Sequence, residues 1–199
     1  MKTSPTPDRW LEPFDYGERQ ARPRWIKAGQ KLNVLAVDPG GMTGWSIMTT
    51  TVDKIADRSL PLLGLVDTWR HGEIPSEGDF GEQVAVEVLY TLLENVGIFN
   101  TTVVLENFVP QRLDKSKAFL SPVRLNSAFE QLLFQEQVAW TKQMPREKGA
   151  MDDNRLKAKG FYERGMEHAR DADRHALLFL QKLQGNRTLM QKSFPLLQW

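Results

Sequence analysis

The chain contains no cysteine. That excludes disulfide staples, thiolate metal sites and cysteine nucleophiles together, and it agrees with a reducing compartment. No apolar run approaches the roughly 18 residues that a membrane-spanning helix needs. The opening residues, MKTSPTPDRW, hold no apolar signal segment, so a cytoplasmic protein without membrane attachment is the expectation. Net charge is almost absent too. Lys and Arg number 26 against 25 Asp and Glu, leaving +1, so any basic footprint for nucleic acid has to be local. Internal repeats and low-complexity tracts are missing, and there is no Walker-type glycine loop followed by Lys and Ser or Thr.

What is there reads as one folded unit with extensions. A chain of 199 residues, 41% hydrophobic and 26% charged, can bury one substantial core but not two large ones. Residues 1–30 are rich in Pro, Arg and aromatics (Trp10, Phe14, Tyr16, Trp25) and show neither helical nor strand periodicity, which marks an N-terminal extension. The division expected is an extension over 1–30, a domain over 31–185 and a C-terminal tail over 186–199.

Within the domain, Leu32 to Val37 predicts a buried strand. Gly40, Gly41 and Gly44 then mark turns before a second strand from Trp45 to Thr49. Leu62 to Thr68 suggests a third strand. Phe80-Gly81 opens a helix with Val84, Val88, Leu92 and Leu93 at helical spacing, ending at Gly97. TTVVLENF is a strand ending in Glu106, and a basic stretch with Arg112, Lys115 and Lys117 follows it. Ser121-Pro122 suits the start of a helix carrying Val123, Phe129, Leu132 and Leu133. Val138 to Lys142 predicts a short strand closed by Pro145, Arg155 to Tyr162 a short basic helix, and MEHARDADRHALLFLQKL the last helix, ending at Gly185-Asn186. Strands, a helix, a strand, then helices is an α/β order with a mixed central sheet flanked by helices.

Two strands therefore end in acids. VLAVDPGGMTGW runs apolar from Val34 into Asp38 and turns at once, while TTVVLENF runs into Glu106. A lone Asp after a strand is ordinarily a turn former, and a lone Glu there a solvated edge residue. Side by side at the ends of neighbouring strands, both would enter one cleft and require a cation between them. The last helix offers further donors. At about 100° per residue His168 and Asp171 share a face, with His175 close by and Asp173 pointing elsewhere. Ala172, Ala176, Phe179 and Leu183 form the apolar stripe beside them. Alone, Asp171 and Asp173 read as a solvated surface paired with Arg170 and Arg174. Together, Asp38, Glu106, His168 and Asp171 form a hard-oxygen set with one imidazole, suited to Mg²⁺ or Mn²⁺ more than to structural zinc. Such a set fits phosphodiester hydrolysis by two ions about 4 Å apart.

These stretches resemble a known family. LAVDPGGMTGWSI is similar to the first-strand motif of RuvC-type Holliday-junction resolvases, VVLENF to the strand carrying that family's catalytic glutamate, and HARDADRHALLFL to its closing helix, with two metal ligands three residues apart. Arg174-His175-Ala176-Leu177 looks like the bacteriophage branch. The resemblance spans roughly Leu32 to Leu183. It implies an RNase H-like fold, a homodimer, and paired metal-dependent nicks in branched DNA, above all the four-way junction. Asp38, Glu106, His168 and Asp171 would hold two Mg²⁺ or Mn²⁺ ions. FVPQRLDKSKAF corresponds to the junction-contacting segment, which makes Phe108, Val109, Arg112, Lys115 and Lys117 DNA-contacting candidates. MPREKGAMDDNRLKAK resembles the later basic segment, with Lys148, Lys157 and Lys159 on phosphates. Asp173, two residues past Asp171, offers a competing helix alignment. The alternatives are a fork- or flap-specific nuclease with the same site and a branched-DNA-binding protein without catalysis. A sugar-kinase or actin-type ATPase needs two such domains, for which the length leaves no room.

Overall fold

The structure, a computed structural model, describes residues 24–27, 29–78, 80–108 and 117–198. Val109, Arg112, Lys115 and the Lys117 side chain, together with the aromatics of residues 1–23, lie outside the described residues. The elements run β1 (Arg24–Trp25), β2 (Lys31–Asp38), β3 (Met42–Thr51), α1 (Val52–Ala56), α2 (Leu62–Leu65), β4 (Thr68–Pro75), α3 (Gly81–Val96), β5 (Thr101–Glu106), α4 (Lys117–Gln135), β6 (Trp140–Gln143), α5 (Asp153–Ala158), α6 (Glu167–Leu183), α7 (Arg187–Ser193) and β7 (Leu197–Gln198). Among the described residues no helix is long and apolar enough to cross a membrane.

Five strands form a mixed sheet in the order β4-β3-β2-β5-β6. β2, β3 and β4 make an antiparallel meander, and β5 and β6 run parallel to β2. The unbroken apolar run of β2 follows from its central place, because both faces are covered. Leu32, Val34 and Ala36 pack with Met48, Val104 and the α6 residues Ala172, Ala176, Leu177 and Leu180. Leu35 and Val37 pack on the other face with Ile47, Leu89 and Leu93 of α3 and Leu125, Phe129 and Leu133 of α4. Strand side chains alternate between faces. Asp38 therefore follows Val34 and Ala36 toward α6, and Glu106 follows Val104 to the same side.

The structure departs from the sequence expectations at several elements. Leu62 and Leu65 are buried one helical turn apart in α2, so the strand begins only at Thr68. β4 is an edge strand, and its polar sequence TWRHGEIP masks the alternation that marks a half-buried strand. α3 ends at Gly97 (φ 95°) as expected. It turns Ala85, Leu89 and Leu93 inward, leaving Val84 and Val88 exposed. α4 begins at Lys117 with Pro122 inside it, and Ser121 is buried rather than capping a helix end. Gly44 sits within β3, not in a turn. Residues 187–198 carry α7 and β7, whose Met190, Phe194 and Leu197 join the core, and β7 pairs in parallel with β1.

Candidate active site

The site lies where the carboxyl ends of β2 and β5 pass beneath the first turns of α6. The two strands pair in parallel up to Val37 and Leu105, which brings the next residues, Asp38 and Glu106, out together. Both carboxylates are buried. α6 can approach this closely because its inward positions Ala169, Ala172 and Ala176 are small and because β3 presents Gly44 to it. A Cβ on Gly44 would stand 2.0 Å from the carbonyl oxygen of His168. Glu73 of β4, cross-strand from Gly44, fixes the helix start. One of its oxygens, Oε1, accepts from the backbone N–H of His168 (2.9 Å) and of Ala169 (3.3 Å), satisfying donors that a helix N-terminus leaves open.

The side chains meet around an ammonium. Lys148 Nζ lies 2.5 Å from Asp171 Oδ2, 2.9 Å from Glu106 Oε2 and 3.9 Å from Asp38 Oδ1. His168 closes the outer side, its Nδ1 at 3.4 Å from Asp38 Oδ2. Arg174 pairs with the second oxygen of Asp171 and donates to the Met151 carbonyl (3.0 Å). Lys148 reaches the cluster from a 3₁₀ turn, Pro145–Met151. That turn is tied to α6 by this Arg174 bond and by an ion pair between Glu147 and Lys182.

Behind the cluster lies a fully buried histidine. His175 Nε2 is 2.8 Å from Glu106 Oε2, and its Nδ1 is 2.7 Å from Gln143 Oε1 on β6. An imidazolium satisfies both oxygens. A neutral ring donates to Glu106 and, once the Gln143 amide turns over, accepts from the amide nitrogen, which is otherwise buried without a partner. Either way the ring fixes Glu106. Asp173 stands apart: it accepts from Trp69 Nε1 (2.7 Å) and pairs with His71 Nδ1 (2.7 Å), while His71 Nε2 meets Glu163 (2.9 Å). It fastens α6 to the edge strand β4.

Electrostatics follow from this crowding. Burial pushes the Asp38 carboxyl up, as do the neighbouring charges of Glu106 and Asp171, with His168 and Lys148 opposing. Burial also acts on Glu106, but the hydrogen bonds from His175 and Lys148 outweigh it and hold this group at about 2. Desolvation works against the Lys148 ammonium, yet Asp38, Asp171 and Glu106 raise it to about 12. The hydrogen bond to Asp38 raises His168. Three carboxylates and one imidazole converge, and the Lys148 ammonium, with Arg174 on the second oxygen of Asp171, offsets only part of the carboxylate charge.

That donor chemistry fits a hard divalent cation. Among the described residues no three His, Asp or Glu groups already form an ion-ready cage. A lysine stands at the point where Asp38, Glu106 and Asp171 meet, a cation in the position the donors favour.

The four residues picked from the sequence are thus brought together, and the competing Asp173 is not among them. Lys148, expected on DNA, has its ammonium inside the cluster. Lys157 is exposed with its ammonium 4.4 Å above the Tyr162 ring, and Lys159 forms the C-cap of α5. Phe108 is half-buried just beyond β5. Glu73 and Gln143 escaped sequence reading; nothing local in TWRHGEIP or WTKQ marks either.

No family model matches the chain, and no curated protein matches it. Among solved structures it is similar to Thermus thermophilus RuvC in complex with a Holliday junction substrate, at 14% identity and a TM-score of 0.52, covering 77% of this chain and 97% of that one. A second T. thermophilus RuvC structure gives 13% identity and a TM-score of 0.54, with 81% and 98% covered. The likeness shows an RNase H-like fold.

Proposed function

We propose that this protein is a metal-dependent, structure-specific DNA endonuclease that resolves four-way junctions by paired phosphodiester nicks. The observation that carries the reading is the convergence of Asp38, Glu106 and Asp171, from two adjacent parallel strand ends and a helix, on one cation. Open α/β sheets place ligands beyond such strand ends. The resemblance of the three motifs to the RuvC family points the same way.

Asp38, Glu106, His168 and Asp171 are the residues we assign to two Mg²⁺ or Mn²⁺ ions. Bound there, the ions would activate a water and stabilise the leaving oxygen of a phosphodiester. His175 and Gln143 hold Glu106 in place, and Glu73 holds the helix turn that carries His168. Val109, Arg112, Lys115, Lys117, Lys157 and Lys159 are assigned to the DNA, with Lys148 at its scissile phosphate and Phe108 near the branch point. The described residues provide one such carboxylate cluster, and two symmetric nicks need two. A homodimer supplies both, and α3 and α4 leave Val84, Val88 and Val123 exposed for such a contact. The bacteriophage branch of the family, and hence a host-cell cytoplasm, is our assignment for its origin.

The test is a denaturing-gel assay on end-labelled four-way junction, Y-fork, flap, duplex and RNA–DNA hybrid, with Mg²⁺, Mn²⁺ or EDTA. Symmetric metal-dependent nicks favouring the four-way junction, lost in Asp38→Asn with the fold intact, are expected. Preference for forks or flaps would replace the resolvase assignment with a branched-DNA nuclease. No cleavage of any substrate would leave a DNA-binding protein.

A further inference from the structure

Lys148 is out of place for a residue whose only task is to touch DNA. Its ammonium is directed inward, in contact with three acids that the proposed function assigns to metal. One cation cannot share that position with another, since a divalent ion bound by the same oxygens would stand within a few ångströms of the ammonium and repel it. Removing the ammonium without replacement is unfavourable as well, because three carboxylates would then face one another in a buried cleft with Arg174 on the outer oxygen of Asp171 as their remaining offset.

We propose that Lys148 is a displaceable internal counter-ion: it offsets part of the charge of Asp38, Glu106 and Asp171 while no metal is bound, and metal loading expels it into the cleft. This rests on the reading of the cluster as the metal centre. Three features make the exchange feasible. The Lys148 side chain is 25% exposed, so a route to solvent is open. Its neighbour Gly149 has open space around it, with nothing within 4 Å of where a Cβ would stand. The turn's attachments to α6 run through Glu147 and the Met151 carbonyl, so the lysine can swing while the turn stays docked. Arg174 keeps its hold on the outer oxygen of Asp171 throughout. The consequence is an ordered site. The lysine becomes available to a DNA phosphate only after the ion has taken its position, so the metal-free protein keeps its central cation from the substrate.

The exchange is tested without cleavage. Mn²⁺ is titrated by calorimetry into wild type and Lys148→Met, in the absence of DNA. Lys148→Met should bind at least about tenfold more tightly, the scale of one partly screened charge removed from the site. It should also melt several degrees lower than wild type in EDTA and regain that loss with Mn²⁺. Equal affinity in the two proteins overturns the counter-ion proposal and leaves the metal centre standing. No Mn²⁺ binding by wild type overturns the metal centre, and the proposal with it. Should Lys148→Met fail to fold, wild type suffices: reductive methylation followed by peptide mapping should find Lys148 protected in EDTA and reactive in Mn²⁺, with exposed Lys157 reactive in both. Unchanged protection of Lys148 on metal loading refutes the exchange.

Discussion

The position most sensitive to a small change is Gly44, where one methyl group should disable the site without touching any proposed ligand. A Cβ there would stand 2.0 Å from the His168 carbonyl oxygen, 2.1 Å from its carbonyl carbon and 2.7 Å from the Ala169 nitrogen. All three are backbone atoms, so no rotamer change relieves them. Real Cβ contacts essentially never fall below 3.0 Å, and α6 must retreat from β3 by about 1 Å to reach even that limit. Overpacking of this kind costs about 1–3 kcal/mol, which for a domain of this size is a fall in Tm of about 2–12 °C. The functional loss should be larger in proportion. His168 is in the first turn of α6 and Asp171 in the next, so the same retreat pulls both from Asp38 and Glu106, and a displacement of about 1 Å at a reacting site can cost about 100-fold in rate. Gly44→Ala is therefore expected to melt at a lower temperature, retain its helical circular dichroism, and lose about 100-fold in metal-dependent cleavage of a four-way junction. A variant with wild-type melting temperature and cleavage would refute the close contact between β3 and α6 and the geometry built on it.

Removing the buried support behind the cluster should weaken it without unfolding the protein. His175→Ala is expected to lower Mn²⁺ affinity by about 10–100-fold, the usual scale for a group that orients a ligand, and His175→Gln to recover part of it; calorimetry with unchanged affinity would show that the ring serves packing alone. His168→Asp replaces a borderline nitrogen donor with a hard oxygen, so the ratio of Mg²⁺- to Mn²⁺-supported cleavage should rise, and an unchanged ratio would remove His168 from the ligand set. Glu106 is held at about 2 against an ordinary 4.5, so its ionised form stabilises the metal-free fold above pH 4.5, and that contribution disappears as the pH falls toward 2. The difference in Tm between wild type and Glu106→Gln in EDTA should narrow across that window, and a constant difference would contradict the ion-paired carboxylate. Asp38 has the opposite sign: its raised value means that ionisation at neutral pH costs stability, and Asp38→Asn should melt in EDTA no lower than wild type.

Much of the site is legible in the sequence. Asp38 and Glu106 stand out because each ends an apolar run, and such runs arise where a central strand is covered on both faces. His168 and Asp171 stand out because helical spacing is local, with the Ala-rich stripe beside them. Asp173 shows how far local signals reach. Two residues past Asp171, it points off that face by helical spacing alone, but the partner it points to, His71, lies 102 residues away and is supplied only by the fold.

The sequence by itself determined that two apolar strands end in Asp38 and Glu106, which face of the last helix carries donors, and that no cysteine chemistry is available. These are matters of period and composition, encoded within a few neighbouring residues. Only the tertiary structure decided what surrounds them. Glu73 holds the start of α6 from 95 positions away, and Lys148 enters the cluster 23 positions before Asp171. Flanked by Glu147, Asp152 and Asp153, that lysine reads locally as part of a solvated charged surface. Gly44 reads as a turn residue until α6 is packed against it. Each of these roles depends on the distance between backbones remote in sequence, a quantity that exists only once the sheet has formed and the helix has come down on it.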